Sequence, residues 1–506
     1  MDPSAQQGGA LRRCKNFHAW CLFTLHETMI DCPLEPSSLF EPKPLFIMCG
    51  PPEKPILVAT AFDASGHVAG LAQISAHLIK KGYIVYFITG PSTKSTVEKT
   101  GAFFVENLFP WEEVMAATGV GKYHDNASIM KYIFGDNTLT AHRALKETLE
   151  RIHKDHPGRE VVILHEAFSG ALGPFEYGAP LPEGYSTLPK AINFHTSVYP
   201  GPNGSVPPFG AGGLPYDPTP DNLALWQSMY DAMVPVMADI TNHYNDLYKT
   251  LGATRPMPGP FLDDMMRLGN LTVLATSPSL EYPPCAHNPR LRFIGGLPLK
   301  PIDQGFDYPS WWPTITANAA LPAHSPDKKK VVFVTQGTIH LNYEELILPT
   351  IAAFADRTDI IVVATLGARG AELDFQSGTR TATTTAPANT FIVDYFPYDA
   401  ILPYADAFVS NAGYGGFMHG VMNGVPMVLA GAVADKADVC ARAEYAGIAV
   451  GLRTQSPGEE VLRAAVDRVL GEPAFKERAL QLQKENQEMD ALGKIESIIE
   501  ELVGKV

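Results

Sequence analysis

Three stretches hold residues whose types could do chemistry together. His67, in Ser65-Gly66-His67-Val68, follows the short apolar run Ile56-Leu57-Val58-Ala59-Thr60. An alcohol is a poor nucleophile at neutral pH, and an imidazole with a pKa near ~6.5 can take its proton as it attacks. Glu166, in Leu164-His165-Glu166-Ala167-Phe168, ends a second apolar run, where a carboxylate could fix the tautomer of such a histidine. His165 is the adjacent alternative, because a one-residue slip at a strand end exchanges the side chain that faces a cleft. The third stretch runs from Phe408 through Ser410-Asn411-Ala412-Gly413-Tyr414-Gly415-Gly416 to Gly420, followed by Asn423-Gly424-Val425-Pro426. A strand that ends at Ser410, a glycine turn and a helix opening near Gly415 would aim backbone N–H groups and a helix dipole at a diphosphate.

These residues need a scaffold, and the apolar periodicity supplies one. The run at 56–60, the face formed by Leu71, Ile74 and Leu78, the closing Lys80-Lys81-Gly82 and the run at 83–89 make a βαβ unit of a parallel sheet. Further strands are expected at 161–164, 191–194, 271–275 and 292–294. A Pro- and Gly-dense loop between Tyr199 and Asp221 is too long for mere connection. A second α/β series begins at Val331, with strands expected at 331–335, 360–364, 390–394, 406–410, 427–430 and 448–452. The organisation expected is an N-terminal extension (1–50), a Rossmann-like domain (51–297), a Pro-rich linker (298–329), a second Rossmann-like domain (330–472) and C-terminal helices (473–506). Two doubly wound parallel sheets facing each other place a cleft between the carboxyl ends of their strands.

Composition narrows the ligands. The net charge of −15 would repel a nucleic-acid backbone, and the densest basic run is only Lys328-Lys329-Lys330. No apolar run reaches the roughly 18 to 20 residues that cross a bilayer. The segment from Arg12 to Phe23 is interrupted at His18 and has no obvious cleavage site, so it reads as part of the extension. Six scattered cysteines (14, 21, 32, 49, 285 and 440) form no CxxC or Cys/His cluster, which points to a reducing, cytoplasmic setting. No Asp-x-Asp pair is present to hold a diphosphate through a divalent ion, so no metal and no cofactor are expected. A GxGxxG followed by an acidic residue about 20 positions on, the mark of a dinucleotide oxidoreductase, does not follow the first strand.

The third stretch and its flanks resemble the donor-binding signature of family 1 glycosyltransferases, the UDP-glycosyltransferases of GT-B fold. The family's order is an aromatic-x-Pro-Gln segment, a His-Gly-Gly, a Gly-Val-Pro and an acidic-Gln pair. This chain has Tyr395-Phe396-Pro397-Tyr398, Asn411-Ala412-Gly413, Gly424-Val425-Pro426 and Asp435-Lys436. Tyr414 to Gly416 and Ala434 to Arg442 look like the variants common in fungal and bacterial members, and Gly66-His67 matches the family's N-terminal Gly-His.

The resemblance implies an inverting, metal-independent transfer of a hexose, with UDP-glucose as donor, to a hydroxyl of a small apolar acceptor such as a secondary metabolite, sterol or lipid. It implies His67 as base with Glu166 or His165 behind it, and Tyr395 stacked on the nucleobase. Gly337, Thr338, Asn411, Gly413, Tyr414, Gly415 and Gly416 would meet the diphosphate, and Asp435 and Lys436 the sugar. His419 stands where the family has a ribose-binding Glu, and Asn411 where it has a phosphate-binding His. Phe168, Phe194, Tyr199, Phe209 and Trp226 are the acceptor-wall candidates, and the last helix would run back to the first domain. The altered signature residues also keep open a catalytically silent binding partner that has the same fold.

Overall fold

The computed structural model describes residues 53–118, 126–338, 341–375 and 385–504; the extension expected at 1–50 lies outside the described residues. From Glu53 onward the chain belongs to one compact unit. The first sheet has seven strands: β1 (Ile56–Thr60), β2 (Val85–Thr89), β3 (Phe103–Glu106), β4 (Val161–Glu166), β5 (Lys190–His195), β6 (Leu271–Leu274) and β7 (Leu291–Phe293). The second has six: β8 (Lys330–Thr335), β9 (Ile360–Thr365), β10 (Thr390–Val393), β11 (Ala407–Ser410), β12 (Met427–Leu429) and β13 (Ala449–Gly451). Their orders are β3-β2-β1-β4-β5-β6-β7 and β10-β9-β8-β11-β12-β13. Every strand pair is parallel.

Both sheets therefore reverse their winding once, at β1/β4 and at β8/β11. Connections leave those points toward opposite faces and open a crevice at the carboxyl ends of the strands. The expected strands match the observed ones to within about two residues, except β3, which the sequence reading lacks. That strand has four residues, lies at the sheet edge and leaves Phe103 more than half exposed, so it carries no buried apolar run.

Four helices bear on the site: α1 (Ser65–Lys80), α2 (Tyr414–Met422), α3 (Lys436–Tyr445) and α4 (Ala491–Leu502). Helix α1 buries Val68, Leu71, Ile74 and Leu78 at helical spacing against β1, β2 and β4. Ala491, Ile495, Ile498 and Ile499 of α4 join that same core, so the end of the chain packs on the first sheet. The stretch read as a linker is partly folded: a helix at Trp312–Ala320 buries Ile315 in the core of the second sheet.

The Pro/Gly loop after β5 is the joint between the two sheets. Ser197 Oγ donates to Asp435 at 2.6 Å, and Asp438 accepts from the Gly210 N–H at 3.0 Å. Burial, ahead of any charge, pushes the Asp438 carboxyl up to about 6. Arg453 donates to the Gly213 carbonyl at 2.6 Å. Gly213 sits at φ +67°, and a Cβ there would lie 2.0 Å from the Ala437 carbonyl oxygen on α3. Only glycine permits both that backbone and that approach. Gly213→Ala should cost about 2–4 kcal/mol, the sum of left-handed strain and overpacking, read as an earlier midpoint in urea; an unchanged midpoint would show that the loop is free to move off α3.

Candidate active site

The two residues at the first switch point meet. Strand β4 alternates its side chains, so Val162, Leu164 and Glu166 face α1, while Ile163 and His165 face the other side. Glu166 Oε1 accepts from His67 Nδ1 at 2.9 Å, and also from Thr196 Oγ1 at 3.0 Å and the Phe168 N–H at 3.2 Å. The carboxylate is fully buried, whereas the His67 side chain keeps 22% of its surface. Since Nδ1–H donates to the carboxylate, Nε2 is left as the free acceptor.

Burial alone would lower the His67 pKa, but the charge and hydrogen bond of Glu166, with the charge of Asp435, raise it above its ordinary 6.5. Burial likewise opposes the Glu166 anion, and His67 reverses this and holds the carboxyl below its usual range. His165 is buried on the opposite face, with Nδ1 3.4 Å from Asn193 Oδ1 and burial pulling its pKa down to about 4. The alternation of one strand thus decides which of the two neighbours reaches His67.

The ring of His67 is boxed by Phe62, Phe134 and Phe168, with centroids 5.6, 5.7 and 5.5 Å away, and Trp111 packs on Phe62 at 5.7 Å. Of these the sequence reading named only Phe168. Phe134 arrives on a π-helical turn, Ile129–Gly135, a distortion of the kind that clusters at functional sites. The other acceptor-wall candidates are not at His67. Phe194 is in the core against α1, Tyr199 packs with Leu274 and Tyr282, and Trp226 is buried against Tyr216. Their apolar character served packing. Phe209 packs against the second sheet's core and, with Val206, Met233 and Met237, lines a small cavity of ≈ 30 Å³.

At the second switch point the loops after β8 and β11 lie side by side. Asn411 donates its amide to the Gln336 carbonyl and accepts from the Gly413 N–H at 3.4 Å. Its side chain therefore ties the two loops together beneath Gly337 and Thr338. Gly337 lies at φ +76°, and Ala412 takes a left-handed φ of 61° that turns the chain into α2, with Gly413 as its N-cap and Tyr414, Gly415 and Gly416 as its first turn. Tyr395 is exposed at the end of β10, with the Arg369 guanidinium 4.5 Å over its ring. His419, in the second turn of α2, bonds Asp399 through Nδ1 at 2.7 Å. Asp435, where α3 begins, lies near enough for its charge to act on His67 from the second domain. Lys436 beside it is 6% exposed. Among the described residues no group of three or more His, Cys, Asp or Glu is placed to hold a metal ion.

A family model described as the erythromycin biosynthesis protein CIII-like C-terminal domain matches residues 361–502. UDP-glucosyltransferase 1 of Beauveria bassiana is 36% identical over 462 residues, covering 88% of this chain and 94% of that protein. UDP-glucosyltransferase B1 of Starmerella bombicola is 31% identical over 470 residues, covering 89% and 99%. Among solved structures, the glycosyltransferase of kitacinnamycin superposes with a TM-score of 0.65 at 19% identity, over 89% of this chain and all of that one. Identity at this level over nearly the whole length, on two Rossmann-ordered sheets, means that the chain belongs to the family 1 glycosyltransferases, the UDP-glycosyltransferases of GT-B fold.

Proposed function

We propose that the protein transfers a hexose, glucose first among them, from a UDP-sugar to a hydroxyl of a small, largely apolar acceptor, with inversion and without a metal ion. The observation that carries this reading is the His67–Glu166 pair at 2.9 Å on the first switch point, with the charge of Asp435 acting on His67 from the second domain. His67 Nε2 takes the acceptor's hydroxyl proton as the oxygen bonds the anomeric carbon, and the carbon–oxygen bond to the diphosphate breaks on the opposite side. The electron pair leaves on the diphosphate, where the N–H groups at the start of α2, with Gly337, Thr338 and Asn411, offer donors. Tyr395 takes the base, His419 the ribose side and Asp435 the sugar hydroxyls.

The aromatic box of Phe62, Phe134 and Phe168, with Trp111 behind Phe62, favours an apolar acceptor, because it places ring faces and edges beside the base. The relatives named UDP-glucosyltransferase support the donor. The buried free thiols Cys285 and Cys440 suit a reducing, cytoplasmic setting.

A single displacement from UDP-α-glucose must give a β-glucoside. Incubation with hydroxylated aromatic and lipid-like acceptors, followed by proton NMR of the product, should find only the β-anomer. An α-glucoside would sink the mechanism. The absence of any product, together with no stabilisation by UDP, would favour a non-catalytic binding partner.

A further inference from the structure

We propose that the Lys436 ammonium supplies the positive charge that the departing diphosphate meets, by contacting the phosphoryl group bonded to the sugar. This rests on the donor reading above. The loop chemistry leaves a gap that the lysine fills. Asn411 offers only a neutral amide, and one of its two N–H groups is taken by the Gln336 carbonyl. Lys436, by contrast, is more than nine-tenths buried, and its Nζ has no hydrogen-bond partner among the described residues. A buried ammonium without a partner is costly, which suits a group whose counterion arrives with the substrate.

Its position points to the same counterion. The side-chain stem runs along Gly431: a Cβ placed on that glycine would lie 2.6 Å from Lys436 Cβ, 3.0 Å from its Cδ and 2.6 Å from the Asn411 carbonyl oxygen. The carboxylates that act on it are Asp435 from its own segment and Glu345 from the segment after β8, while burial pushes the nearby Cys440 thiol up to about 12 and keeps it neutral. The buried side chain thus lies between the connections after β11 and β12, with the charge of Glu345 acting on it from the connection after β8, beside the second switch point at β8/β11. Burial, ahead of these charges, pulls its pKa down to about 8. In the transfer, the bond from the anomeric carbon to the diphosphate oxygen breaks, the electron pair stays on that oxygen, and the ammonium faces the new charge. No proton need move from the lysine.

The test compares UDP with UMP, which differ in the terminal phosphoryl group, by calorimetry on the full chain. Lys436→Gln should weaken UDP about 10- to 100-fold, the range of a charge-assisted hydrogen bond, and leave UMP almost unchanged; Lys436→Arg should recover part of the loss. In the unaltered protein UDP binding at pH 8 should draw in a fraction of a proton, read from binding heats in two buffers, because the free amine is partly neutral there and the bound one is charged. UDP affinity should accordingly fall as pH rises through about 8, with a flat profile in Lys436→Gln. Equal loss of UDP and UMP, unchanged UDP binding or no proton uptake would overturn the assignment. If the unaltered protein binds neither nucleotide, the donor reading itself has failed.

Discussion

His67→Ala should lower the rate of sugar transfer by about 10²- to 10⁴-fold while leaving the stabilisation by UDP intact. The argument is positional. His67 stands on α1 at the end of β1, in the first domain, and its side chain is hydrogen-bonded to Glu166 of the same domain. On the nucleotide side it is coupled to the field of Asp435. Rate should therefore collapse without loss of donor affinity, which single-turnover transfer and a thermal-shift titration with UDP would read separately. A variant that kept more than about a tenth of the rate would remove His67 as the base.

The carboxylate behind it makes a second, sharper statement about pH. As base His67 must be neutral, and its folded pKa lies above 6.5, so kcat/KM should fall as pH drops through a value above 6.5. Glu166→Gln removes the nearer charge that raises that pKa, keeps the smaller effect of Asp435 and leaves the burial that lowers it. The acid limb should then move to lower pH, with a lower plateau because the tautomer is no longer fixed. A limb that stayed in place would mean that another group titrates there.

Distance along the chain decides how much of this was legible in the sequence. The strands of both sheet centres were readable because β1, β4, β8 and β11 are buried on both faces and spell continuous apolar runs. Glu166 was readable because it ends such a run, and His67 because it opens the helix that follows one. The choice between Glu166 and His165 needed the strand's side-chain phase, which only its packing supplies. The aromatic box was mostly hidden: Phe134 reaches His67, and Trp111 packs on Phe62, from segments with no strand signal of their own. Phe194, Tyr199 and Trp226 show the converse, since a large aromatic side chain looks the same in sequence whether it lines a pocket or fills a core. Hidden too was the joint, where Ser197 meets Asp435 and Glu281 meets Arg442, pairing loops of the first domain with α3 and the residue before it.

That joint carries the largest expected effect on stability. Arg442 of α3 donates Nε–H to Glu281 at 2.7 Å and Nη2–H to the Tyr199 carbonyl at 2.6 Å, and its guanidinium lies 4.5 Å over the Tyr282 ring. Both members of the ion pair keep only 2% of their side-chain surface. Glu281 also accepts from the Tyr199 N–H at 3.2 Å, so the loop after β5, the segment before β7 and α3 share one buried charge network. Arg442→Leu would leave the Glu281 carboxylate buried without its cation, at a cost of about 3–5 kcal/mol. Because α3 begins at Lys436, directly after Asp435, the damage should reach function as well, as a raised KM for the nucleotide sugar beside a lower thermal midpoint. Adding Glu281→Leu should return most of the lost stability, since the buried charge goes with it. It should not return the donor KM to the same extent, because the Tyr199 carbonyl still lacks its donor and α3 its tether. Recovery of both to the same degree would show that the network only stabilises the fold, and that the position of Asp435 is set by α3 alone.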